Sequence, residues 1–142
     1  MKKRGSILIE TIVGVSIILS MFLVVSLLIS ENIKSEFMRE KTEEAHRIIY
    51  CIMQEVKYNS TLEKILNLTN KENLKLKNYD NFLVDLSNTD LDKMPKGEDI
   101  IIKSKPSEDE EKLEINIKFK LTHNGEILER SFFKYRWMDY YE

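Results

Sequence analysis

One carboxylate stands inside the most apolar stretch of the sequence. Residues 6–30 read SILIETIVGVSIILSMFLVVSLLIS, and Glu10 is the one charged residue among them. A carboxylate in an apolar helix costs on the order of 3 kcal/mol near the middle of a membrane, so such a residue is by default functional. Glu10 therefore raises the question of which cation neutralises it.

The residues before the apolar run could supply that cation if the chain is cut. Residues 2–4 are basic, Gly5 and Ser6 follow them, and Glu10 comes four residues after Ser6. Cleavage after Gly5 would free an α-amine at Ser6, about 6 Å along a helix axis from Glu10. The carboxylate is well placed to receive such an amine, from its own chain or from a neighbour. The alternative is a Glu that is simply favoured by the dipole of the first helical turns.

Side chains typical of enzymes and metal sites are few and scattered. His46 and His123 are the two histidines, and no Ser-His-Asp spacing, P-loop or Gly-rich phosphate loop occurs in the sequence. Cys51 is the only cysteine, which excludes an intramolecular disulfide and a multi-cysteine metal site. We interpret Cys51 as a small side chain beside a helix seam, with a reactive thiol or an intermolecular disulfide as the alternative. The sequence predicts no enzyme, no metal and no cofactor, and it shows no clear nucleic-acid site because it lacks a dense basic patch.

The apolar run is long enough to cross a membrane. As a helix, residues 6–30 would measure about 37 Å, and a bilayer core is roughly 30 Å thick. The basic residues 2–4 favour a cytoplasmic N-terminus and an extracytoplasmic C-terminus. An ordinary secretory signal has a shorter apolar stretch, of about 7–15 residues, followed by a small-x-small cleavage site, and neither feature is present here. A plain signal anchor stays open as an alternative.

The helix is expected to continue beyond the membrane. Residues 31–57 contain no Gly or Pro, and the apolar residues of their second half recur at spacings of three and four. This stripe consists of Ala45, Ile48, Ile49, Ile52, Met53 and Val56. We therefore predict a single helix of about 50 residues whose far half packs on a domain.

Residues 58–142 are predicted to form a small α+β head. The sequence Ser60-x-x-Glu63 resembles a capping box and predicts a short helix that ends near Leu68. A short strand or turn is expected near 82–86, and a solvated, charged turn at 107–111. Aromatic side chains crowd the C-terminal end, where strand-end packing is favoured over a binding surface. They are Tyr135, Trp137, Tyr140 and Tyr141.

The C-terminal third is predicted to be an antiparallel sheet. Residues 99–103 form one strand, and strict apolar-polar alternation from Leu113 to Leu121 indicates a second, half-buried one. Asn124-Gly125 predicts a type I′ hairpin turn. That turn would pair Leu121 with Leu128, Ile117 with Phe132, and Lys120 with Glu129. A bulge is expected near Phe132, and the buried face should pack on the stripe around Ile48, Ile52 and Val56.

The order of the N-terminal residues resembles the leader of type IV prepilins and pseudopilins. That family pattern is a basic leader, a Gly before the cut, three mostly apolar residues after the first mature one, and a Glu at the fifth mature position. Here Gly5 precedes the cut, Ser6 begins the mature chain and Glu10 is its fifth residue. Ser6 departs from the commoner Phe or Met of the family. The resemblance covers about the first 30 residues.

The resemblance implies a division of the chain and a function. Residues 1–5 would be a leader peptide, 6–30 a transmembrane and filament-core helix, 31–57 its amphipathic continuation and 58–142 a pilin-like α+β head. Ser6 would be N-methylated, and Glu10 would pair with the N-terminus of an adjacent subunit during assembly. The chain would be a structural subunit of a pilus, a competence pilus or a secretion pseudopilus. The absence of proline from residues 6–58 indicates a minor subunit.

The resemblance also implies partners and a location. The partners would be other pilin subunits, a prepilin peptidase, the assembly platform protein with its cytoplasmic ATPase, and membrane lipid before assembly. The protein would cross the cytoplasmic membrane once and reach the cell surface in a filament. The alternative is a single-pass, signal-anchored protein of regulatory or cell-division type.

Overall fold

The computed structural model describes residues 2–70, 73–107, 111–121 and 125–140. The chain divides into two compact units, Met1–Glu40 and Lys41–Glu142, which we call the N-terminal and the C-terminal unit. Helix α1 extends from Lys2 to Gln54. The predicted α+β layout is confirmed at this level, because one long N-terminal helix precedes a small antiparallel sheet.

The N-terminal unit is helical and apolar. Its large apolar side chains between Ile7 and Ile29 are 51–68% exposed. A continuous apolar surface of this extent marks contact with lipid or with another protein. In the described part of the chain, α1 is the one helix long and apolar enough to cross a membrane.

The C-terminal unit begins with the last part of α1 and a π-helical turn at Glu55–Asn59. Two short helices follow, α2 (Leu62–Asn70) and α3 (Phe82–Asn88), with a 3₁₀ turn at Leu91–Lys93. The strands are β1 (Leu74–Leu76), β2 (Ile100–Pro106), β3 (Lys112–Lys120) and β4 (Ile127–Tyr135), and a 3₁₀ turn at Arg136–Tyr140 follows them. All strand pairs are antiparallel, and the order across the sheet is β1-β2-β3-β4.

The core lies between the sheet and the apolar stripe of α1. In β3, alternate residues from Leu113 to Phe119 are buried, as the alternation predicts. They belong to one cluster with Ile48, Ile52 and Val56, so the predicted packing is confirmed. Burying one such side chain contributes roughly 1.5–3 kcal/mol, so this contact is the main stabilising feature of the unit.

The predicted hairpin register between β3 and β4 is wrong by two residues. Phe119 pairs with Leu128 and Lys118 with Glu129, instead of Leu121 and Lys120 with these partners. The connection is longer than a two-residue turn, because the Leu121 amide donates to the Glu126 carbonyl at 2.8 Å. Gly125 has φ +70° at the end of this loop, whereas Asn124 lies outside the described residues. A shift of two keeps every side chain on its predicted face, because the period of a strand is two.

The predicted bulge near Phe132 is also wrong. The ladder between β3 and β4 is unbroken from the Lys112–Tyr135 pair to the Lys120–Ile127 pair. The apolar pattern changes phase for another reason: Phe133 and Tyr135 are exposed on the outer face, while Lys134 takes the buried position between them.

Two local predictions in the first half of this unit need correction. Residues 82–86 belong to α3 and not to a strand, because Phe82 and Leu86 are the buried pair and lie one helical turn apart. Helix α2 begins at Leu62, and Thr61, not Ser60, acts as its cap: the Thr61 hydroxyl accepts the Lys64 amide at 3.3 Å. Ser60 is itself buried.

Candidate processing and assembly site

Gly5 and Ser6 lie in the helical backbone at the start of α1, and Glu10 follows one turn later. The Glu10 side chain is exposed. It shares a shallow groove along one face of the helix with apolar and small residues. The groove is lined by Ile7, Glu10, Thr11, Gly14, Val15 and Ile18.

Gly14, which has no side chain, is one of the residues that line the groove. A Cβ atom built there would meet nothing within 4 Å, so the space is open to an approaching group. Residues 10 and 14 are one turn apart and lie on the same face. The structure thus places the carboxylate next to a gap that allows another helix to come close.

Three hydroxyl groups of the apolar segment bond to carbonyls of their own helix. Ser16 donates to the Ile12 carbonyl at 2.7 Å, Ser20 donates to the Ser16 carbonyl at 2.8 Å, and Thr11 donates to the Ile7 carbonyl. Such bonds let polar side chains face lipid at little cost, because no donor is left without an acceptor. Glu10 differs from them, since no side chain that the structure describes forms an ion pair with it.

A second charged group in apolar surroundings lies in the C-terminal unit. Lys134 is fully buried on the inner face of β4. Its ammonium lies 2.8 Å from an Asp139 carboxylate oxygen and donates to the Lys57 carbonyl at 2.9 Å. The second Asp139 oxygen accepts the Leu62 amide at 3.0 Å. We call this network of Lys134, Asp139, the Lys57 carbonyl and the Leu62 amide the C-terminal clasp.

Sequence reasoning missed the C-terminal clasp. The signal was the alternation of side chains along β4: because Phe132 faces the core, the side chain two residues later, at position 134, must face it too. A lysine at an inward position needs a carboxylate partner, and the sequence offers many. Only the fold identifies Asp139, which is brought back by the 3₁₀ turn that follows β4.

The outer end of β4 carries an exposed aromatic row. The ring centroids of Phe133 and Tyr135 are 6.5 Å apart, and those of Tyr135 and Trp137 are 6.1 Å apart. These three side chains are 36–56% exposed, so strand-end packing does not cover them. The side chain of Tyr140, like Tyr141 as a whole, lies outside the described residues.

The other candidate residues do not come together. Cys51 is half-buried against the core, and His46 is exposed on α1. His123 and most of the acidic segment 107–111 lie outside the described residues. Within the described ranges, no group of three or more His, Cys, Asp or Glu side chains is arranged to hold a metal ion.

Exposed ion pairs on the sheet perturb individual groups. The Lys118 ammonium, 3.0 Å from a Glu129 oxygen, and the Asn116 amide, which donates to Glu129 at 2.6 Å, lower the pKa of Glu129 below its ordinary value. Away from the sheet, the hydrogen bond from Lys64 of α2 lowers the pKa of Asp90 below its ordinary value. These pairs tune surface charge and define no cleft.

Comparisons with protein-family models, curated proteins and solved structures gave no match to this chain. The class of protein is therefore argued from its own residues: an exposed apolar helix with one carboxylate, and a small α+β unit with a continuous core.

Proposed function

We propose that this chain is a structural subunit of a type IV pilus or a related pseudopilus, and a minor rather than a major one. In this proposal the leader ends at Gly5, the mature chain begins at Ser6, and the helix carries the subunit from the membrane into a filament. The proposal assigns no catalytic step and no cofactor to the chain.

The observation that carries the proposal is the Glu10 carboxylate on an apolar helix face, where no side chain of the described residues forms an ion pair with it. It lies beside the gap at Gly14, while the neighbouring hydroxyls bond to their own helix. When helices bundle, Glu10 loses its contact with water and headgroups and needs a cation. The amine freed at Ser6 of an adjacent subunit meets that need without another charged side chain in the apolar segment.

The proposed topology follows from the charges around the helix. Residues 2–4 are basic and precede the apolar run, which favours a cytoplasmic N-terminus. The C-terminal unit would then be extracytoplasmic and would reach the cell surface in the filament. Before assembly the subunit would be held by lipid, trimmed by a prepilin peptidase and extracted by an assembly platform protein and its ATPase.

The minor-subunit proposal rests on departures from the usual pattern. Ser6 replaces the commoner Phe or Met, no proline lies in residues 6–58, and Cys51 has no second cysteine to pair with.

The test is N-terminal sequencing of the protein extracted from the membrane of the cells that make it. We expect the sequence to begin at Ser6, with a methylated amine. A chain that keeps residues 1–5 in cells with an active prepilin peptidase would contradict the proposal and favour a signal-anchored membrane protein. A matched Gly5→Val variant serves as the uncut reference, because a bulky side chain before the cut should block cleavage.

A further inference from the structure

We draw no further inference here: the strongest candidate, the exposed aromatic row of Phe133, Tyr135 and Trp137 on the outer face of the sheet, is an unpartnered surface, and nothing in the structure shows what covers it.

Discussion

The two units of the chain each place a charged group in apolar surroundings, and they treat it differently. In the C-terminal unit, Lys134 is fully buried and meets both Asp139 and the Lys57 carbonyl. In the N-terminal unit, Glu10 lies on an apolar helix face, and no described side chain forms an ion pair with it. One charge is neutralised within the fold, whereas the other forms no ion pair among the described side chains, and in the proposed function it meets the amine of an adjacent subunit.

This difference separates folding from assembly. Removing one member of a buried ion pair typically costs about 3–5 kcal/mol, because the other charge is stranded. For Lys134 that cost should fall on the stability of the single chain. For Glu10, the proposed function places that cost on the association of chains, because the described part of the chain contains no ion pair of Glu10 to break.

The largest effect is expected for Glu10→Ala. In the proposed function, membrane insertion and leader cleavage precede helix bundling, so both should persist in this variant. The ratio of sheared, filament-associated protein to membrane-associated protein should fall about tenfold or more, since the incoming amine loses its partner. The ratio is measured by quantitative immunoblotting in cells that express the partner pilins.

Glu31→Ala is the matched control for this prediction, since it removes a carboxylate that lies outside the apolar run. It should leave the ratio near the wild-type value. An unchanged ratio for Glu10→Ala would remove the main argument that Glu10 is an assembly residue. A loss of membrane insertion would show instead that Glu10 acts before assembly.

The second prediction concerns the C-terminal clasp. Lys134→Ala should lower the free energy of unfolding of the C-terminal unit by about 3–5 kcal/mol, because Asp139 loses its cation. Denaturant unfolding of the full chain in detergent micelles can be followed by the fluorescence of Trp137, the only tryptophan. The double variant Lys134→Met/Asp139→Asn should lose less unfolding free energy than the sum of the losses of the single variants Lys134→Met and Asp139→Asn.

The exposed Lys96 supplies the control for Lys134. Lys96→Ala should change the unfolding free energy by less than about 0.5 kcal/mol. If Lys134→Ala changed the unfolding free energy as little as Lys96→Ala, the ion pair would not stabilise the C-terminal turn. Lys134 would then no longer differ from Glu10 as a charge neutralised within the fold.

The third prediction tests the core that supports the clasp. Ile52 is fully buried between α1 and the sheet, and Ile52→Ala should destabilise the C-terminal unit by about 2–5 kcal/mol. Tyr50→Ala, on the same helix at a side chain 56% exposed, is the control and should have little effect. A loss below roughly 0.5 kcal/mol for Ile52→Ala would place this residue outside the core.

The smallest effect is expected at the exposed pair of Lys118 and Glu129. Because the folded-state pKa of Glu129 is lowered, its contribution is present above the unfolded-state pKa and is lost as the pH falls through the folded-state pKa. Lys118→Gln should therefore raise the Glu129 pKa in an NMR titration. It should also slightly reduce the loss of unfolding free energy that accompanies acidification. Lys105→Gln, on the same face, should leave the Glu129 pKa in place; a Glu129 pKa insensitive to Lys118→Gln would refute the assignment.

The periodicity of apolar residues correctly predicted which face of an element is buried. The alternation in β3 and the stripe through Ile48 and Ile52 each report one buried face, and both are confirmed. The strand or turn predicted at 82–86 is wrong, because periodicity cannot distinguish a strand from a helix over so short an apolar run. In the folded chain the Tyr79 ring packs edge-on against Phe82, and its hydroxyl donates to Asp85 at 2.6 Å, which fixes the helical turn.

Features that depend on the length of a loop or on distant contacts could not be predicted from the sequence. The hairpin register is set by the loop between Leu121 and Glu126, where Asn-Gly suggested a shorter turn. The partner of Lys134 is Asp139 because the 3₁₀ turn after β4 brings residue 139 back beside position 134. At the candidate site, the sequence indicated Gly5, Ser6 and Glu10 through their resemblance to the prepilin leader pattern, whereas the groove that joins Glu10 to Gly14 emerged only from the structure.

The C-terminal clasp also sets the order of events during synthesis. Its bonds from Lys134 to the Lys57 carbonyl and from the Leu62 amide to Asp139 each span 77 residues. Contacts of such long sequence separation form slowly, because a large loop must be closed first. A nascent chain presents α1 and all four strands before Asp139 exists, and until then Lys134 favours the unfolded, hydrated state. The C-terminal unit should therefore close only after residue 139 has been synthesised.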